Sequence, residues 1–303
     1  MIRKDKPIMS KVTVVIPTFN CARYICQAID SVLKQNYRNL EIIVVDDGST
    51  DDTRETVAPY VNDGSIRYTY QDNLGLPGAR NTGISMAGGE YVALLDADDE
   101  IDERMISLCV EKVERENTDW CIVDLLRITS SPSGEMKEMK MGRIPEGNLL
   151  HEMLADDYIP RSALFKKSCL DDIGCYHDDI QIRVDWEINI RLLRAGKRFS
   201  HVKEPVYIYK IREDSLVKKV HKKKYDQTLG LLRKHHKQLA DQGDREVAAI
   251  YAQNLWRLAR AYMVEVHAMK AGLSCVYESM KYDFSVKRLF HPFYHHLVRR
   301  SSY

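Results

Sequence analysis

Residues 91–99 read YVALLDADD, five apolar residues running straight into three aspartates with one alanine among them. A run of five is too short for a helix and suits a strand buried on both faces. Two earlier stretches have the same form: 12–20, VTVVIPTFN, and 41–50, EIIVVDDGST. Between them, Ala22–Gln35 carries Ile25, Ala28, Ile29, Val32 and Leu33 at helical spacing. DDGSTDDT supplies capping candidates for a second helix, Ile66–Tyr70 is a weaker strand, and Ala79–Met86 reads as a third helix. Apolar strands alternating with helices predict an α/β fold with a parallel sheet covered on both faces.

Open parallel sheets bind ligands beyond the carboxyl ends of their strands. Here those ends are Pro17-Thr18-Phe19-Asn20, Asp46-Asp47-Gly48-Ser49 and Asp96-Ala97-Asp98-Asp99. Carboxylates crowded on one edge repel one another unless something cationic is held there. Asp96 and Asp98 suit a hard divalent ion that shares its oxygen ligands with phosphates, the alternative being a solvated acidic turn. An EF-hand loop does not fit, because Ile101 stands where that loop needs glycine. Asp46 and Asp47 either accept hydrogen bonds from a base and ribose or cap a helix. The stretch from Asn73 to Asn81 joins turn glycines to Arg80, which either forks onto phosphate or lies on the surface at a helix start.

Past Asp96 the pattern gives a helix over Asp102–Glu116, a strand over Trp120–Ile128 and an exposed loop or hairpin over 129–148. A helix over Val184–Ala195 and an edge strand over Val206–Ile211 follow. From Lys222 the chain is helical, with Val247, Tyr251, Leu255 and Leu258 on one face. The expected division is 1–220 and a C-terminal helical region, 221–303.

The chain has 303 residues, 44% apolar and 29% charged, with a net charge of +1, so no global field points to nucleic acid. Seven scattered cysteines without a CxxC pair favour reduced thiols in a cytosol-facing compartment. The N-terminus reads as a strand rather than a signal peptide, and no stretch approaches the roughly 18 apolar residues of a membrane helix. A soluble, cytoplasmic chain is the expectation. Lys218, Lys219, Lys222, Lys223 and Lys224, with Arg299 and Arg300 at the end, suit either an anionic membrane surface or a solvated face. His291, His295 and His296 form either a metal tract or ordinary surface.

The order VVIPTFN, VVDDGSTDDT, NLGLPGARNTGI, LLDADD resembles the family-2 inverting glycosyltransferases with a GT-A fold. The resemblance is specific over about residues 11–105. It continues more loosely to about 216 through residues 161–166, VDWEINIRLLRAG and PVYIYKIREDSL. It implies a mostly parallel sheet flanked by helices, a nucleotide half over about 10–105, an acceptor half over about 106–220, and a C-terminal helical extension.

By the same resemblance, Pro17, Thr18 and Asn20 form the nucleotide-side loop, with Asp46 or Asp47 near uracil or ribose and Asn73 close by. Arg80 is similar to the arginine near the nucleotide and diphosphate, and Asp96 and Asp98 resemble the DxD pair, Asp98 being the metal ligand. Asp185 sits where the family carries the second member of a Glu-Asp pair, its catalytic base. The first member is Val184 here, a departure that brings Glu187 into consideration. Read alone, Asp185 is equally the N-cap of a helix beginning at Trp186. Tyr207, Tyr209, Lys210 and Arg212 fall near the family's active-site mouth.

The implied reaction is a divalent-metal-assisted (Mn or Mg) single displacement from a nucleotide-sugar donor, UDP above all, to a glycan or lipid-linked acceptor hydroxyl. The family's usual setting is bacterial cell-surface polysaccharide, capsule or lipopolysaccharide, at the inner face of the cytoplasmic membrane. A sugar nucleotidyltransferase and a catalytically inactive nucleotide-sugar-binding protein are the competing readings. A nicotinamide enzyme is excluded by the lack of GxGxxG after any strand. Oligomeric state is not legible.

Overall fold

Strand β1 (Val12–Thr18) is buried along its whole length, as a strand covered on both faces must be. In this computed structural model, which describes residues 9–131, 134–211 and 222–283, β1 pairs in parallel with β2 (Leu40–Asp46) and β4 (Tyr91–Leu94). β3 (Arg67–Tyr70) extends the parallel set beyond β2. The register sets Thr18 beside Asp46 at one edge, so the polar strand ends share a rim. Helices α1 (Ile25–Leu33), α2 (Thr53–Asn62) and α3 (Gly75–Met86) make the crossovers. α1 buries Ile25, Ala28, Ile29 and Val32, the stripe visible in the sequence. α3 lies close on β1, and only glycine fits at position 83, where a Cβ would stand 2.2 Å from Val15 Cγ1.

The remaining strands turn a parallel sheet into a mixed one. They are β5 (Glu100–Ile101), β6 (Trp120–Ser131), β7 (Gly134–Lys140), β8 (Arg161–Lys166) and β9 (Phe199–Ile211), and the order is β3-β2-β1-β4-β8-β6-β9-β5, with β7 on β6. β8 runs antiparallel to both β4 and β6. Of loop or hairpin over 129–148, the structure gives the hairpin β6–β7 as far as Lys140. The edge strand expected at Val206–Ile211 is corrected. It begins at Phe199 and is interior, parallel to β6 on one side and antiparallel to β5 on the other. Helices α4 (Met105–Glu116), α6 (Lys167–Asp172) and α7 (Val184–Arg194) complete this first unit, residues up to 144 with 159–211.

The second unit joins residues 145–158 to 222–283. It contains α5 (Leu149–Ala155), α8 (Lys222–Leu232), a π-turn over Arg233–Lys237, α9 (Gln238–Asp241), α10 (Arg245–Val264) and α11 (Met269–Ser279). Val247, Tyr251, Leu255 and Leu258 of α10 are all buried, as their spacing requires. The sequence reading kept 145–158 with the first 220 residues, but α5 packs with the C-terminal helices. Leu154 O accepts from Asn254 and meets His236 Nε2, and the His151 ring lies between Asp244 and Glu246. Polar contacts to helices a hundred residues away carry no local signal. No helix among the described residues is long and apolar enough to cross a membrane. Cysteines are free thiols throughout. Lys218, Lys219 and Arg212, the three C-terminal histidines, Arg299 and Arg300 lie outside the described residues.

Candidate active site

The rim of the parallel strands is built first by backbone. Asn20 follows β1 with φ +53°, a left-handed conformation that asparagine tolerates. Its N–H donates to Ser49 Oγ at 2.9 Å and its Oδ1 accepts from Thr50 N at 2.8 Å, locking the first strand-end loop to the second. Gly48 has φ +83° and backs onto Asn73 N, 3.0 Å from where a Cβ would stand. Asp46 accepts from Ser49 N and the Tyr68 hydroxyl. Asp47 accepts from Gln71 Nε2, Leu74 N and Gly75 N, so it holds the start of α3 from outside that helix. Both aspartates are buried and organise loops; neither caps α2, which follows them. Pro17 and Thr18 are buried beside them, while Asn20 and Asn73 are exposed.

Deeper in the same edge, two arginines and two aspartates form a closed ring. Arg80, in α3, donates to Asp96 Oδ1 at 2.9 Å and to Asp185 Oδ1 at 2.7 Å. Arg161, first residue of β8, lies 3.1 Å from Asp96 Oδ2 and 3.3 Å from Asp185 Oδ2. Each guanidinium is backed by a ring: Arg80 over Tyr176 at 5.1 Å, Arg161 over Tyr207 at 4.5 Å. The arginine side chains are 1% and 10% exposed, and those of Asp96 and Asp185 are 26% and 39% exposed. The cations therefore lie beneath and the carboxylates reach the surface. Arg80 is not the surface residue that one reading allowed. Burial opposes its charge, yet Asp185, Tyr176 and Asp96 raise its pKa. Burial likewise works against the Asp96 carboxylate, but Arg161 and Arg80 hold it down at about 2.

Asp185 lies in the first turn of α7, which starts at Val184 rather than Trp186; Arg183, with φ +52°, takes the cap position without a side-chain bond. The N-cap reading of Asp185 is thereby corrected, since its carboxylate turns to the two arginines. Val184 is buried. Glu187 is committed elsewhere: it is 1% exposed and takes Arg191 Nε on both oxygens at 3.0 Å. Arg191 also donates to the carbonyls of Ile173 and Cys175, so this pair fastens a loop.

Within the acidic turn after β4, Asp99 accepts from the Tyr207 hydroxyl at 2.8 Å and from Lys210 N at 2.9 Å. Burial, then the charges of Asp96 and Asp98, push its pKa up to about 7. Asp96 pairs with the two arginines and Asp99 with β9, and Asp98, between them in the turn, is half-buried. Among the described residues no three His, Cys, Asp or Glu side chains converge as a metal cage.

Residues 13–174 match the family model described as Glycosyl transferase family 2. The chain belongs to that family. Among its relatives, glycosyltransferase GlyG of Streptococcus pneumoniae is 39% identical over 113 residues, 37% of this chain and 38% of that protein. EpsJ of Bacillus subtilis, an uncharacterized glycosyltransferase, is 28% identical over 231 residues, 72% of this chain and 66% of that protein. The hyaluronan synthase of Pasteurella multocida is 28% identical over 229 residues, 74% of this chain but 22% of that protein. The family-2 chain thus spans less than two thirds of the length of these relatives. S. aureus TarS 1-349 in complex with UDP-GlcNAc superposes with a TM-score of 0.60 at 15% identity, covering 91% of this chain and 94% of that one. Mannosyltransferase PcManGT from Pyrobaculum calidifontis, in complex with GDP-Man and Mn2+, gives 0.59 at 18%, covering 96% and 81%. At these identities the likeness is one of fold, and the fold is the nucleotide-sugar-transferase type expected from the sequence.

Arg161, Tyr176 and Asp99 had no assigned role in the sequence, and Tyr207 was noted only for its neighbourhood. One signal was available: an arginine opening the apolar strand SALF is out of character for a buried element unless acids meet it.

Proposed function

We propose that this family-2 chain transfers a sugar from a nucleotide diphosphate, UDP in the first instance, to a hydroxyl of a glycan or lipid-linked acceptor, with inversion. One observation carries the proposal: Asp96 of the strand-end turn and Asp185 of α7, far apart in sequence, meet on the same pair of buried arginines. A donor-side turn and a half-exposed carboxylate are thereby fixed relative to one another. The nucleotide sugars bound to TarS and PcManGT support the donor class, and the Mn2+ in the latter supports a cation.

In this assignment Asp185 accepts the proton of the acceptor hydroxyl as general base, a contribution of about 10²–10⁴-fold. Pro17, Thr18, Asn20 and Asn73 line the nucleotide side, on loops held by Asp46 and Asp47. Arg80 serves the donor through Asp96, the residue it orients. Asp98 would hold a divalent ion, Mn2+ or Mg2+, which when bound supplies Lewis-acid stabilisation to the departing diphosphate. Attack opposite the leaving group inverts the anomeric carbon in one step. Residues 1–220 are assigned to catalysis, about 10–105 to the donor and 106–220 to the acceptor, with 221–303 as a helical appendage. A peripheral contact with the inner face of a membrane, in cell-surface polysaccharide assembly, is supported by Lys222 and Lys223, exposed on α8.

Val184 favours one alternative, a protein that binds nucleotide sugar without turning it over. Incubation with UDP-sugars, Mn2+ and glycan acceptors separates the outcomes. Release of nucleotide diphosphate supports transfer, pyrophosphate chemistry supports a nucleotidyltransferase, and binding without turnover supports the inactive reading. Product NMR then reads the anomeric configuration, and retention would exclude the single displacement.

A further inference from the structure

We infer that Arg161 is a positioning residue for the transfer step, a brace that holds the proposed base at a set distance from the donor-side turn; this rests on Asp185 being that base. Arg161 enters from β8, whereas Arg80 enters from α3, so the carboxylates of Asp96 and Asp185 are tied together by two independent elements. One arginine alone would leave a hinge about its side chain. Two, one to each oxygen of each carboxylate, fix both the separation and the rotation of Asp185. A planar guanidinium spans two acceptors in a way that an ammonium cannot.

The surroundings of Arg161 are built for holding. Its Nε and Nη2 are buried without a hydrogen-bond partner among the described residues, so the Nη1 bond to Asp185, the ion pair with Asp96 and the Tyr207 face carry its interactions. Tyr207 in turn donates to Asp99 and lies 3.4 Å, through its oxygen, from Asp96 N. Tyr207 and Arg80 thus keep their own hold on the acidic turn, so loss of the Arg161 guanidinium falls first on Asp185. Its side chain is 10% exposed beneath carboxylates that are more open, which suits a residue that acts through others and not by its own phosphate contact.

The test compares Arg161→Met, Arg161→Lys and Arg161→Ala with Asp185→Asn, measuring kcat and KM for transfer and, by calorimetry, the affinity for UDP with Mn2+. For Arg161→Met we expect kcat to fall roughly 10²-fold, the cost of a misplaced reacting group, with UDP affinity unchanged. Arg161→Lys should fall between, and guanidinium ion should restore part of the turnover of Arg161→Ala. Unchanged kcat in Arg161→Met overturns the inference, as does UDP affinity lost in step with kcat, which would make Arg161 a donor ligand. Should Arg161→Met fail to fold, Arg161→Lys carries the same comparison. An active Asp185→Asn sinks the underlying assignment of the base, whereas an inactive Asp185→Asn beside fully active Arg161 variants sinks only the brace.

Discussion

Arg80 and Asp185, 105 positions apart in the chain, share a 2.7 Å ion pair in which the arginine is almost wholly enclosed and the aspartate is not. The asymmetry decides what each can do. A buried guanidinium cannot be left without counter-charges, so Asp96 and Asp185 are needed for folding besides the roles proposed for them. Stability and the proposed function are coupled at this one point, and substitutions there have to be read with both in view.

Replacement of Arg80 by methionine leaves two carboxylates facing each other with Arg161 alone between them. Removing one partner of a fully buried pair costs about 3–5 kcal/mol, and the cost here is smaller, because Asp96 and Asp185 are 26% and 39% exposed and keep Arg161. The urea midpoint should drop accordingly with an unchanged m-value. A midpoint equal to that of the wild type would mean the ring is dispensable to the fold.

Asp185→Asn keeps the shape of the ring and one acceptor oxygen, but cannot take a proton. Transfer should fall about 10²–10⁴-fold while donor binding persists. Glu187→Gln is the contrasting variant: it loosens the Arg191 clamp on the carbonyls of Ile173 and Cys175, so thermal stability should suffer more than turnover. The reverse pattern would move the base to Glu187.

Asp98→Ala should weaken Mn2+ and UDP together, because the ion and the diphosphate bind as a unit in the proposed site. Calorimetry of UDP with and without Mn2+ reads this directly. If excess Mn2+ leaves the variant's UDP affinity equal to that of the wild type, Asp98 is not the ligand.

The parallel half of the fold was legible because its signals are local. Val12–Ile16, Glu41–Val45 and Tyr91–Leu95 are short apolar runs ending in polar residues, and the structure has strands there with only their ends adjusted. The role of Asp47 was not legible: its partners at Gln71, Leu74 and Gly75 lie a whole crossover away. The ring was half legible. Asp96, Asp185 and Arg80 each stood in a recognisable motif, but their convergence depends on β8 running antiparallel beside β4, and nothing near Arg161 announces that pairing. Val206–Ile211 misled for a related reason, since its neighbours β5 and β6 are set by pairing with segments distant in the chain and leave no mark in the strand's own sequence.

Glu41, at the start of β2, gives a prediction independent of the active site. Its carboxylate accepts from Gly88 N and the Thr13 hydroxyl and pairs with Arg67 and Lys11. Burial alone would raise its pKa, but these partners lower it to about 2 from an ordinary 4.5. A carboxyl depressed in the folded state stabilises the fold above its unfolded pKa, and that contribution disappears as pH falls from about 4.5 towards 2. At roughly 1.4 kcal/mol per pKa unit, the contribution at neutral pH is on the order of 3 kcal/mol. Glu41→Gln should therefore lower unfolding stability by a constant amount above about pH 5. The gap to the wild type should narrow as the pH is taken down through 4 to 3. Urea titrations across that range measure the gap at each pH, and one that stays the same at pH 3 as at pH 7 would show that the Glu41 charge contributes nothing and that only its shape matters.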